Sequence, residues 1–140
     1  KKKQNNNLVF YCKDISDKNF IQTINKILKK KIFSSSKTVN YYSRFVMHSI
    51  NKKQQVNFML ILKDLMKPGE KIFFEFRSRR DRNTKKIFQN HYRRYVDTNS
   101  FVKDLRQIAN LKVLYKITGR GMALFGSEDP IVSRVVAVKN

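Results

Sequence analysis

Val39-Asn40-Tyr41-Tyr42-Ser43-Arg44-Phe45-Val46-Met47-His48 opens the stretch that decides the fold, and Ile72-Phe73-Phe74-Glu75-Phe76-Arg77 closes it. The first run, from Thr38 to Met47, is rich in β-branched and aromatic residues and reads as a strand. Between the two runs Val56, Met59, Leu60, Leu62 and Leu65 recur at helical spacing, and Pro68-Gly69 stops that helix. Lys71 to Arg77 carries apolar residues on both faces, as a central strand covered by helices needs. The order strand, helix, strand predicts a parallel pair. In open α/β sheets ligands sit beyond the carboxyl ends of the strands, where Arg44, His48, Glu75 and Arg77 fall.

Upstream, Leu8-Val9-Phe10-Tyr11-Cys12 is predicted to be another buried strand, ending near Asp14. Phe20, Ile21, Ile24, Ile27 and Leu28 then predict a helix, with Ser16 or Asp17 placed to cap it. Residues 1–7 form a polar, basic tail, and residues 8–140 read as one domain. Downstream, Arg77 to Arg82 reads as a charged loop and Thr84 to Arg94 as helical. Phe101, Leu105 and Ile108 mark a helix starting near Asn99 or Ser100. Leu111–Thr118 and Ile131–Val138 are the last two strands, and with no helix fitting between them they should pair antiparallel. The fold class is therefore α/β.

Composition bounds the function. The 140 residues suffice for one core, and 41% hydrophobic content excludes a disordered polycation. With 31 basic against 10 acidic residues the formal charge is +21, which favours polyanionic partners, nucleic acid first. Lysine, asparagine and isoleucine dominate throughout, so the charge describes the surface more than a site. One cysteine, Cys12, gives no internal disulfide, and the two histidines lie far apart with no cysteine near, so no metal site is expected. No run approaches the roughly 20 apolar residues of a membrane helix. The chain is expected to be cytoplasmic.

The run Tyr42-Ser43-Arg44-Phe45 to His48, the turn Lys67-Pro68-Gly69 and the strand end Glu75-Phe76-Arg77 together resemble Rossmann-like (class I) S-adenosylmethionine-dependent methyltransferases. The particular likeness is to a bacterial group associated with surface-glycan synthesis. It continues through His91-Tyr92-Arg93-Arg94-Tyr95 and Gly119-Arg120-Gly121 to Glu128-Asp129-Pro130 and Arg134. The resemblance implies the second half of that fold: parallel strands with helices, then an antiparallel hairpin at the C-terminus. It implies S-adenosylmethionine as cofactor and a small-molecule or glycan acceptor. The family's cofactor half, a strand with a glycine-rich loop and a second strand ending in an acid, is missing here, and Gly119-x-Gly121 reads as a turn. The chain is thus expected to be a fragment, or a degenerate relative whose sheet a missing N-terminal segment or partner chain completes, since uncovered edges invite aggregation.

The resemblance places Asp14, Ile15 and Tyr42 at the cofactor and Arg44 and His48 at the reacting centre. Asp14 equally suits a helix-capping turn. His48 is a candidate general base, its unperturbed pKa being about 6.5, or a hydrogen-bonded structural histidine. Glu75 and Arg77 alternate with Phe74 and Phe76, so they share a face. They form a buried pair, or else Arg77 reaches an anionic acceptor. His91, Tyr92, Arg93 and Arg94 are candidates for the acceptor too, because guanidinium forks suit phosphate and carboxylate; the alternative is a solvated basic face. Tyr92 and Tyr95 among those arginines could instead stack on bases, which gives the rival reading: a non-catalytic basic module for nucleic acid.

Overall fold

The periodic segments become elements, although the strand read from Thr38 to Met47 is confined to Asn40–Arg44, because the chain turns at Phe45, whose φ is +59. In the computed structural model, which describes residues 11–15, 17, 19–32, 38–87 and 91–140, the order is α1 (Phe20–Ile32), β1 (Asn40–Arg44), α2 (Lys52–Leu65), β2 (Lys71–Arg77), α3 (Thr98–Gln107), β3 (Leu111–Gly119) and β4 (Val132–Lys139). The strand expected at 8–12 lies largely outside the described residues, and its described part, Tyr11 and Cys12, is irregular.

Local chemistry sets where the helices start. Before α2, the Asn51 side chain accepts from the Gln54 amide while the Asn51 amide donates to the Gln54 side chain. This reciprocal cap satisfies two amides that the first turn would leave unpaired. Asp97 caps α3 by accepting from the Ser100 amide, so that helix begins slightly earlier than its apolar residues suggest. Gly69, at φ +84, turns the chain from α2 into β2, a conformation that glycine adopts without a side-chain clash.

The strands lie in the order β1-β2-β4-β3. β1 pairs parallel with β2, whereas β4 runs antiparallel to both β2 and β3. The last strand thus inserts between two earlier ones. One face of the sheet carries Ile72, Phe74 and Phe76, with Val135 and Ala137 beside them, and packs against α2 and α3. The Phe101 ring of α3 meets Phe74 edge-on at 5.0 Å and Phe76 at 4.7 Å. The other face is more open than a doubly covered sheet would be. Phe73 and Tyr42 are exposed on it, as are Tyr115 and Ile117.

Among the described residues the helix expected over Thr84–Arg94 does not form: residues 84–87 and 91–94 are irregular, after a short 3-10 turn at Arg79–Asp81. Competing polar bonds explain this. The fully buried Asp81 takes the Thr84 hydroxyl, the Ile131 amide and the Arg77 guanidinium. Lys86 donates to the carbonyls of Asp81 and Thr84. Such side-chain bonds give the backbone an alternative to helical pairing.

Candidate functional site

Four segments meet beyond the carboxyl ends of the parallel strands β1 and β2. They are the turn after β1 (Phe45–Ser49), the end of β2, residues 91–95, and the connection from β3 to β4. The last folds back through a two-residue turn, in which Phe125 and Glu128 exchange amide-carbonyl bonds of 3.0 and 2.9 Å. Gly126 has φ +56 at the first central position, the geometry of a type II′ turn. Between these segments is a cavity of about 250 Å³, whose polar lining comes from Arg44, His48, Arg77, His91, Arg93 and Glu128.

His48 is buried and held from one side. Its Nδ1 accepts the Arg77 backbone amide at 3.2 Å, and the Phe45 ring lies 5.2 Å away. Burial first, and then the charges of Arg77, Arg93 and His91, push its pKa down to about 4. Phe45 itself has φ +59, a left-handed conformation that costs a bulky residue roughly 1–3 kcal/mol. Its amide bonds the Glu75 carbonyl at 2.7 Å, and the Arg44 guanidinium sits 4.9 Å over its ring.

Glu75 and Arg77 share the face that their alternation requires, but they do not pair with each other. The buried Glu75 carboxylate bridges three strands, taking Arg44 Nε at 2.9 Å and Arg134 Nε at 2.7 Å. Burial raises its pKa, and the two guanidinium bonds outweigh burial and hold it below the usual carboxylate range. Arg77 bonds Asp81 at 2.8 Å and also Glu128. Both carboxylates are likewise held low by their hydrogen bonds against the opposing effect of burial. Arg77 therefore organises the site's wall through two acids.

The other candidates divide. His91 and Arg93 line the cavity. Arg94 instead points into the fold, donating to the carbonyls of Ile50 and Met47 and to the Gln55 side chain, at 2.9, 2.8 and 2.5 Å. Its own amide bonds the His48 carbonyl at 2.8 Å, so it fixes the turn that carries the histidine. Tyr92 is exposed and stands outside the cavity lining. Ile15 and Tyr42 come together in a separate, apolar cavity of about 230 Å³ beside β1, with Phe20, Ile24 and Phe58. The buried Ser43 hydroxyl on its wall has no partner among the described residues. Asp14 is exposed next to it in sequence, and the Asp17 carbonyl and carboxylate serve the start of α1.

Asp81 and Glu128, the acids that anchor Arg77, did not stand out as site residues in the sequence. Asp81 is one acid among four arginines of a loop, and Glu128 reads as part of a turn. Among the described residues no three His, Cys, Asp or Glu side chains converge as metal ligands, and no helix is long and apolar enough to cross a membrane.

No protein-family model and no curated protein matches the chain. Solved structures do. An S-adenosylmethionine-dependent methyltransferase from Clostridium acetobutylicum superposes with a TM-score of 0.59 at 11% identity, over 93% of this chain and 64% of that one. One from Methanosarcina mazei gives 0.56 at 10% identity, over 71% of this chain and 58% of that one. An O-methyltransferase family protein from Burkholderia thailandensis gives 0.56 at 14%, over 94% of this chain and 36% of that one. The chain has a methyltransferase-like fold, and it spans between about a third and two thirds of the length of these structures.

Proposed function

We propose that the chain is the acceptor-side part of an S-adenosylmethionine-dependent methyltransferase domain acting on a small or glycan-type molecule. The observation that carries this reading is the strand order β1-β2-β4-β3, with a polar cavity beyond the carboxyl ends of β1 and β2. That is where open α/β sheets place ligands, and the fold is the one shared with the solved methyltransferases.

The donor would supply an electrophilic methyl group. The protein's part is to align an acceptor atom with it, since orientation alone is worth several kcal/mol of barrier. On this reading Ile15 and Tyr42 would hold the donor's apolar ring in the cavity beside β1, with Asp14 at its polar edge. Arg44, His48, His91 and Arg93 would face the acceptor, while Arg77, Asp81 and Glu128 keep the cavity wall in place. No glycine-rich loop between a strand and a helix occurs among the described residues, so the donor's amino-acid end would be held by a segment or chain completing the sheet at the edge of β1 that no described residue pairs with.

Calorimetric titration of the full gene product with S-adenosylmethionine tests the proposal. Saturable one-site binding is expected, and lost binding with a bulky Tyr42→Trp replacement would support the assigned cavity. A folded product that takes up no donor overturns the reading.

A further inference from the structure

The cavity at the ends of β1 and β2 holds one side chain whose hydrogen-bonding sense is fixed by the backbone. The Arg77 amide can only donate, so His48 Nδ1, which receives it at 3.2 Å, must present a lone pair. A neutral imidazole then carries its proton on Nε2. That atom has no hydrogen-bond partner among the described residues and is not one of the sealed polar atoms, and the ring lines the cavity.

The charges around it have a definite balance. Arg77 and Lys86 are matched by Asp81 and Glu128. Both Glu128 oxygens are occupied, one by Arg77 and the other by the Ile87 amide. Glu75 is shared by Arg44 and Arg134, which leaves one positive charge in surplus. Arg93 adds a second in the cavity lining, and His91 stands beside it. The cavity therefore offers an N–H donor and surplus cationic charge, and its acids are already engaged.

We propose that this cavity binds an oxyanion, a carboxylate or phosphate group, through the His48 Nε2–H and the Arg93 guanidinium, and that His48 is a fixed donor that positions the acceptor. This rests on the preceding reading only in calling the ligand an acceptor. As a donor His48 leaves no lone pair at Nε2 to take a proton, so the acceptor's reacting atom would have to shed its proton elsewhere or carry none. The low pKa of His48 agrees with that role: burial is the first cause disfavouring a charged ring, Arg77, Arg93 and His91 add to it, and Asp81 alone favours the charge.

The test is a long-range ¹H–¹⁵N spectrum of the histidines in the full gene product, titrated in separate arms with inorganic phosphate and with acetate at constant ionic strength set by chloride. The expected result is an Nε2–H tautomer of His48 at pH 7, with a saturable shift of that N–H by one of the two anions; the arm that saturates at lower concentration identifies the oxyanion. Arg93→Ala should weaken binding about tenfold, the scale of one charge-assisted hydrogen bond. His48→Gln, which keeps an N–H, should retain more affinity than His48→Leu. A proton on Nδ1, or shifts no larger than chloride produces, overturns the proposal. Donor binding in the same samples separates the two ideas: anion binding without donor binding removes the methyltransferase reading and leaves the oxyanion site standing.

Discussion

At His48 the fold turns an ordinary titrating group into one that stays neutral. Its pKa falls from 6.5 to about 4, with burial the largest cause. Unfolded chains therefore take up a proton there that the native state refuses. Stability from this group is whole above pH 6.5 and drains away as pH falls toward 4, at up to about 1.4 kcal/mol per pH unit. Urea denaturation at pH 7, 6 and 5 should show that decline in the wild type, and a flatter profile in His48→Gln. The carboxylates act lower on the scale: Glu75, Asp81 and Glu128 are depressed, so their contribution is present above the usual carboxylate pKa and lost in stronger acid. Asp81 carries the most bonds of the three. Asp81→Ala should cost about 3 kcal/mol or more, because Lys86 would be left in a buried site without its acid and Arg77 with only one of its two; chemical denaturation at pH 7 reads it.

At the scale of elements, β2 shows what alternation decides. Phe74 is buried against α3, and Phe73, one residue away, is 38% exposed on the opposite face. Phe74→Ala should cost about 3–5 kcal/mol, and Phe73→Ala well under half of that, as compared by unfolding midpoints. Equal losses would mean that the second face is covered in solution. The same comparison shows where sequence reasoning stopped. The ends of β2 and the antiparallel pairing of β3 with β4 were legible from periodicity and turn residues. The expected helix over Thr84–Arg94 was not avoidable from sequence, because what cancels it is the convergence of Thr84, Lys86 and Ile131 on Asp81, and Ile131 is 50 positions away.

For the whole molecule, charge and fold make separable statements. A formal charge of +21 should draw the protein onto duplex DNA at low salt. If that binding is only electrostatic, log affinity should fall linearly with log salt, with a slope near −0.9 per phosphate neutralised, and it should not depend on DNA sequence. Fluorescence anisotropy from 50 to 200 mM salt measures it. Binding that survives high salt or selects a sequence would favour the nucleic-acid module over the methyltransferase reading.

The sequence by itself determined the helix and strand order from Phe20 to Arg77, the antiparallel pairing of the last two strands, and the presence of Arg44 and Arg77 at the ends of β1 and β2. Each is a local property, set by periodicity, caps and turn residues. Tertiary structure alone decided that β4 inserts between β2 and β3, that Glu75 bridges Arg44 and Arg134 while Arg77 turns to Asp81 and Glu128, and that Arg94 faces inward. Those outcomes depend on which distant groups satisfy a buried charge. A pattern of neighbours along the chain carries no such information, and burial makes the choice costly to change.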